Sequence, residues 1–336
     1  MNNYYIQIPT INKAKNDIDD IVDSMGYVNL ARRQYGSGGI GRFLTKFLAV
    51  CRIPVALRRG DVLFLQYPMK KFYKMASTLA RWRGARVVTV VHDLGAFRRH
   101  KLTPVQENRR LAKTDFLIAH NPTMCRYLVD HGFRGGIHSL QIFDYLSPCN
   151  PASYDTPHTP WHVVYAGNLG HRRNEFLYHM EGIVDGWQFD LYGKGFDPSL
   201  NRCPEVRYHG FIGSDDFISH IEADFGLVWD GDSTDACTGP WGEYLRINNP
   251  HKTSFYLRAG LPVIVWKQSA MASFVSQSGV GITVERLSDI GSALSALTPA
   301  AYAAMRRQAT AMGRRLAEGR YIRESLAEAE KYLSEQ

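Results

Sequence analysis

The stretch Asn-Pro-His-Lys-Thr-Ser-Phe-Tyr-Leu-Arg-Ala-Gly-Leu-Pro, residues 249–262, gathers residue types that together hold an anion. Pro250 suits the start of a helix, where its missing N–H would have had no intrahelical partner. Gly260 suits the left-handed conformation of a helix C-cap, and Pro262 blocks continuation, so a helix is expected over 250–259, followed by the short strand "PVIVW". Lys252, Thr253 and Ser254 then fall in the first helical turn, with Asn249 just ahead of it. Unpaired backbone N–H groups, the positive end of the helix dipole and an ammonium group meet at one spot, which suits a phosphate.

A diphosphate needs a second positive anchor, and "VVYAGNLGHRRNEFL", residues 163–177, offers one. It reads as a strand, a turn of Gly167, Asn168 and Leu169, and a helix over 174–185 with Arg172 and Arg173 where it begins. Glycine lets the backbone approach a ligand closely, and an arginine grips phosphate oxygens with two bonds. The turn at Gly210, Phe211 and Ile212 suits a nucleotide base, with main-chain groups at its edge and the Phe211 ring against its face. In "WDGDSTDACTGPWGEY", residues 229–244, Asp230, Asp232, Asp235 and Glu243 share a loop with three glycines. Calcium is a poor fit because the remaining ligand positions of a calcium loop are missing. Sugar hydroxyls fit better, donating to Asp230 and Asp232 while Trp229 or Trp241 offers a ring face. No residues read as metal ligands.

In the first half, "TVVHDLGAFR" is apolar on both faces and ends abruptly in His92-Asp93, as a central strand does at a cleft. That pair can supply a general base or position an acceptor hydroxyl; a satisfied histidine beside a helix-capping aspartate is the competing account. Asn121 before Pro122 reads as a helix cap.

These residues need elements to position them, and the chain supplies strand-like runs alternating with helical stretches from end to end. The strands are "YYIQI", "DVLFLQYP", "RVVTVVHD" and "DFLIAHN", then "WHVVYAGN", "WQFDLYGKG", "VRYHGF", "DFGLVWDG", "PVIVW" and "GVGITV". That rhythm predicts an α/β chain of parallel sheets with crossover helices. Between the halves, "LSPCNPASYDTPHTPW" carries four prolines and little periodicity, the pattern of a linker. Two Rossmann-like domains are expected, 1–150 and 151–336, facing a cleft that binds ligands beyond the carboxyl ends of the strands.

Residues 1–150 hold 23 Lys+Arg against 10 Asp+Glu, a surplus of +13, and the remainder holds 17 against 22, a deficit of −5. The basic half favours anionic partners, but no zinc finger or other nucleic-acid signature accompanies it, which excludes nucleic acid from the expected partners. Residues 41–59, "GRFLTKFLAVCRIPVALRR", read as a basic amphipathic helix, which either lies on acidic lipid or packs on a core with its basic side in water. No run approaches a membrane span and no signal-peptide core opens the chain, so a cytoplasmic protein is expected, with peripheral contact at the inner face of the membrane. The five scattered cysteines read as ordinary thiols.

Taken together, "VHDL", "AHNPTM", "IFDYL", "YAGNL", "WDGDS" and "NNPHKTSFYLRAGLPVIVW" resemble the bacterial sugar-nucleotide glycosyltransferases of the two-Rossmann type, the GT-B fold. The O-antigen β-1,6-galactofuranosyltransferases and the streptococcal adhesin glucosyltransferases are the groups within it that the motifs resemble. The resemblance runs from "AKNDIDDI" to the final helix. It implies a UDP-sugar in the second domain, with Arg173 and Lys252 at the pyrophosphate and the 210–212 turn near uracil. It also implies a glycan acceptor in the first domain, lipid-linked or on a glycoprotein, and a last helix that crosses back to that domain. The implied activity is transfer of a hexose (galactofuranose, glucose or galactose) to an acceptor hydroxyl, with no metal and no further cofactor. Asp93, with His92 as the alternative, is the base if the reaction inverts. One position departs from the pattern: where many enzymes of this architecture place a glutamate that holds the ribose, this chain has Phe255. The competing functions are a non-catalytic partner subunit of a glycosyltransferase complex and a nucleotide-sugar epimerase on the same double fold; a homo-oligomer fits any of them.

Overall fold

The computed structural model describes residues 2–8, 10–36, 38–69, 71–98, 102–152 and 157–336, so residues 153–156 of the expected linker lie outside the described residues. The chain forms two units, Met1–Asp144 with Gly319–Gln336, and Tyr145–Glu318.

The first unit runs β1 (Asn3–Tyr5), α1 (Lys13–Ser24), β2 (Val28–Asn29), α2 (Gly39–Ala56), β3 (Val62–Tyr67), α3 (Lys71–Trp82), β4 (Arg86–Val91), α4 (Gly95–Arg98), α5 (Pro104–Leu111), β5 (Phe116–Ala119), α6 (Pro122–Asp130) and β6 (Gly136–Ser139). Its sheet has the order β2-β1-β3-β4-β5-β6, and every pairing is parallel. β4 is buried from Val87 to Val91, as a strand covered by helices on both faces must be. Asn121 caps α6 through Met124 N, and Thr103 and Gln106 close a reciprocal capping box on α5, a helix the sequence reading did not mark.

The second unit runs β7 (Trp161–Asn168), β8 (Trp187–Lys194), β9 (Val206–Tyr208), α7 (Ser214–His220), β10 (Phe225–Val228), α8 (Gly239–Gly242), α9 (His251–Arg258), β11 (Val263–Trp266), α10 (Ala272–Ser278), β12 (Gly281–Val284), α11 (Ile290–Ser295) and α12 (Pro299–Ala317). Its sheet order, β12-β11-β10-β7-β8-β9, is the doubly wound Rossmann order, with the winding direction reversing between β7 and β10. Around the sheet lies a core that includes Val163, Tyr165, Phe189, Phe225, Leu227, Trp229 and Ile264.

Two helix expectations fail. Residues 174–185 form a single 3-10 turn, Glu175–Tyr178, followed by turns. Phe176, Leu177, Met180 and Val184 are buried at helical spacing, but Gly182 is left-handed at φ +71° and the Asn174 side chain bonds the Asn168 carbonyl instead of serving a helix. The long tract after residue 298 also breaks, at Gly319, which is left-handed at φ +66° and whose Cβ would lie 2.6 Å from Ile21 of α1. The chain then continues as α13 (Arg320–Ser334), which belongs to the first unit: Asp144 accepts from Tyr321 N at 3.1 Å and from Ile322 N at 2.8 Å, and Tyr332 packs on Phe116. Among the described residues, no helix is long and apolar enough to cross a membrane.

Gly226 of β10 lies under the Tyr256 ring of α9, where a Cβ would come within 2.2 Å of the ring. The Tyr256 hydroxyl accepts from Ala166 N at 2.7 Å, so the ring has little room to retreat. Gly226→Ala is expected to cost about 1–3 kcal/mol of stability through overpacking. A denaturant midpoint unchanged from wild type would contradict that.

Candidate active site

In an open parallel sheet the crevice lies where the winding reverses, outside the carboxyl ends of the strands. In the second unit that point falls between β7 and β10. Backbone packing there demands glycine: Gly193, at the end of β8, has φ +150°, and its Cβ would sit 1.8 Å from the Gly167 carbonyl oxygen. Gly167 itself has φ +130°, and a Cβ on it would touch the Lys252 Cε at 3.6 Å. No side chain therefore stands between the end of β7 and the ammonium-bearing arm of Lys252.

Asp230, two residues past β10, is the hub of the site. It is 4% exposed, and its carboxylate accepts from Arg173 Nη2 at 3.0 Å, from Arg173 Nε at 3.3 Å and from Lys252 Nζ at 3.1 Å. Burial alone would raise this carboxyl, but the Lys252 ammonium and the Arg173 guanidinium outweigh it and hold it below the usual carboxylate range. Lys252 also donates to the Tyr165 hydroxyl and lies over that ring, 3.7 Å from its centroid. Tyr165 in turn bonds Asn174 Oδ1 at 2.7 Å, while Asn174 Nδ2 donates to the Asn168 carbonyl at 2.6 Å. The loop that carries Arg173 is thus fastened to β7 at two points, and Trp241 lies under the Arg173 guanidinium at 4.5 Å.

The remaining expected residues are placed as follows. Lys252 is in the first turn of α9, but Arg173 is in a turn ahead of the short 3-10 segment rather than at the tip of an α-helix. Asn249, Thr253 and Ser254 are all buried. Thr253 Oγ1 has no hydrogen-bond partner among the described residues. Leu169 is in the core, and Asn168 is exposed. Asp232 is exposed and accepts from Thr238 Oγ1, apart from the Asp230 cluster. Trp229 has no exposed ring face: it is fully buried, and its Nε1 donates to the Ser233 carbonyl at 2.9 Å. Gly210 is left-handed at φ +75° and accepts from Gly193 N at 2.7 Å. Beyond it Phe211 is 65% exposed, with Lys194 Nζ 4.5 Å from its ring centroid, and Ile212 is half-buried. In the first unit, His92 and the half-buried Asp93 follow β4, with the His92 ring stacked on Phe143 at 5.5 Å.

Tyr165 and Asn174 belong to the cluster and were not singled out from the sequence. Tyr165 is the one residue with a polar end inside "VVYAG", which was the available signal.

A family model described as "Glucosyltransferase 3-like, N-terminal domain" matches residues 2–142, and its C-terminal counterpart matches residues 163–329. The chain belongs to the glucosyltransferase 3-like family. It is 30% identical over 319 residues to the beta-1,6-galactofuranosyltransferase WbbI of Escherichia coli K12, covering 94% of this chain and 93% of that one. It is 28% identical over 146 residues, 43% of each chain, to glucosyltransferase 3 of Streptococcus gordonii. The fold matches a solved glycosyltransferase of Rickettsia africae with a TM-score of 0.60 at 10% identity, covering 100% of both chains. This member of the glucosyltransferase 3-like family is a glycosyltransferase with two Rossmann-like units.

Burial pulls the Lys252 ammonium down to about 8, against Asp230, which raises it, and with Arg173 adding to the fall. A lysine is charged below its pKa, so the cation is present at neutral pH and is lost as pH rises through about 8. If this cluster holds a diphosphate such as UDP, its binding is expected to weaken between about pH 7 and about pH 9.5, with proton uptake on binding near the middle of that range. Calorimetric titrations in buffers of different ionisation enthalpy measure both, and an affinity flat across the range would place Lys252 outside the anion site.

Proposed function

We propose that the chain transfers a hexose from a UDP-sugar to a hydroxyl of an acceptor glycan, in the assembly of cell-surface polysaccharide or glycoprotein. The reading is carried by the two cations that Asp230 holds side by side at the β7–β10 switch point. Breaking a sugar–phosphate bond leaves growing negative charge on the departing diphosphate. Cations already fixed in place stabilise that charge more in the transition state than in the ground state. Lys252 spends two of its three donors on Asp230 and Tyr165, which leaves one for a phosphate oxygen.

The second unit is the donor side in this reading, with Gly167, Asn168 and Leu169 beside the diphosphate and the exposed Phe211 against the base. The galactofuranosyltransferase relative favours galactofuranose as the sugar, ahead of glucose and galactose. Phe255 packs against Phe217 and Tyr145, so the ribose is held by some other residue. The first unit is the acceptor side, with Asp93, or His92 in its place, as base for an inverting transfer. Lys252 and Arg173 do the work that a divalent ion does in other transferases, so activity is metal-independent. Lys252→Ala is expected to raise the barrier by about 2–4 kcal/mol. The assay is turnover of UDP-galactofuranose, with EDTA present throughout, by a variant whose folding is verified. Wild-type turnover in the variant removes the clamp, and wild-type activity lost in EDTA and regained with manganese removes metal independence.

The acceptor in this reading is lipid-linked, and α2 supports peripheral contact with the inner face of the cell membrane. One face of α2, with Thr45, Ala49, Val50 and Ile53, is buried. Its other face exposes Ile40 at 80%, Phe43 at 43%, Phe47 at 40% and Val55 at 87%. Lys46 and Arg52 fall on either side of that apolar stripe by helical spacing, which suits an anionic interface and would repel a second copy of the same face. The protein is expected to sediment with acidic phospholipid vesicles and not with zwitterionic ones, and Phe43→Ser with Phe47→Ser is expected to abolish this. Equal binding to both vesicle types would rule the contact out.

A further inference from the structure

The sheet of the first unit has its own switch point, between β1 and β3, and a hydrogen-bond chain spans it. Gln66 of β3 donates from Nε2 to the Lys15 carbonyl at 3.1 Å and to Asp19 Oδ1 at 2.6 Å, both on α1. Its Oε1 lies 2.6 Å from His92 Nε2. A main-chain carbonyl can only accept, so the amide must turn its NH2 toward α1 and its oxygen toward His92. An amide oxygen can also only accept, so His92 Nε2 carries the proton, and Nδ1 is the basic nitrogen of the neutral ring. Further contacts fix the ring's position: Phe143 stacks on it with 16° between the planes, and His92 N donates to the Tyr67 carbonyl at 2.8 Å. Asp19, in the middle of α1, is 3% exposed, a costly place for a carboxyl without a hydrogen-bonded partner.

We propose that Asp19 and Gln66 are positioning residues of the acceptor side, a relay that sets the tautomer and the ring plane of His92. The proposal rests on reading His92 and Asp93 as the acceptor-side pair. Asp19 orients the Gln66 amide, the amide oxygen holds the Nε2 proton, and the basic nitrogen of His92 is thereby assigned before any acceptor arrives. The Gln66 oxygen can accept from Nε2 in either charge state of the ring, so the relay holds the ring's orientation in both.

Nitrogen-15 NMR of the histidine-labelled protein reads the tautomer directly, with the His92 signals identified by their loss in His92→Asn. Wild type is expected to show Nε2 protonated and Nδ1 unprotonated. Gln66→Leu is expected to mix the tautomers, Asp19→Val to do so partly, and Asp19→Asn, which keeps an accepting oxygen, to preserve the wild-type signature. In turnover, Gln66→Leu is expected to lower kcat about tenfold to 100-fold, the scale of a misplaced catalytic group. The KM for the donor is expected to stay unchanged. A wild-type ring protonated at Nδ1, or a spectrum indifferent to Gln66→Leu, overturns the relay whatever the enzyme's activity. The expected spectra with kcat indifferent to Gln66→Leu leave the hydrogen bonds in place but overturn their catalytic role, while wild-type turnover in His92→Asn overturns the acceptor-side reading of His92 instead.

Discussion

The second unit is organised around one buried carboxylate shared by two cations. Asp230 would be costly to bury alone, and so would Lys252; each becomes tolerable because the other is there, and Arg173 supplies the second positive charge. The loops after β7 and β10 and the start of α9 are therefore coupled through one group. Displacing Asp230 would leave two unpaired cations in a low-dielectric crevice, whereas losing either cation would leave a single ion pair. That coupling holds the two cations in position. The cluster carries one net positive charge, enough to favour an arriving anion without collapsing onto itself.

The supporting structure follows from that demand. Tyr165 reaches the cluster from within the sheet, and its hydroxyl links Lys252 to Asn174, which fastens the Arg173 loop. The glycines at the ends of neighbouring strands, Gly167 and Gly193, leave the backbone as the floor of the crevice. The first unit repeats the principle with an amide: Gln66 joins α1 to the residue after β4, and the two accepting oxygens on α1 decide which way its amide faces.

Much of this was legible in the sequence wherever a residue type has one strong local preference. Pro250 and Gly260 mark the limits of α9, Asn121 marks the start of α6, and the apolar run before His92 marks β4 as central. Where tertiary contacts overrule local pattern, the sequence misleads. Phe176, Leu177, Met180 and Val184 have helical spacing, yet the segment bends to deliver Asn174 to Tyr165. Asp230 and Asp232 look equivalent as neighbours in one acidic loop, but only Asp230 turns inward to the two cations, and nothing in their spacing distinguishes them. Trp229 looked like a platform for a sugar ring because composition cannot tell a buried tryptophan from an exposed one. The capping box from Thr103 to Gln106 was readable by rule and marks the start of α5.

Because α13 packs into the first unit, the second unit is in effect an insertion between β6 and the helix that covers β5 and β6. During synthesis the first sheet emerges early but stays uncovered at that edge until residues 320–334 leave the ribosome, after the whole second unit has been made. Domains of multidomain chains usually mature in order of emergence. Here the inserted unit can complete its fold first, and maturation of the first unit waits until residues 320–334 have been made.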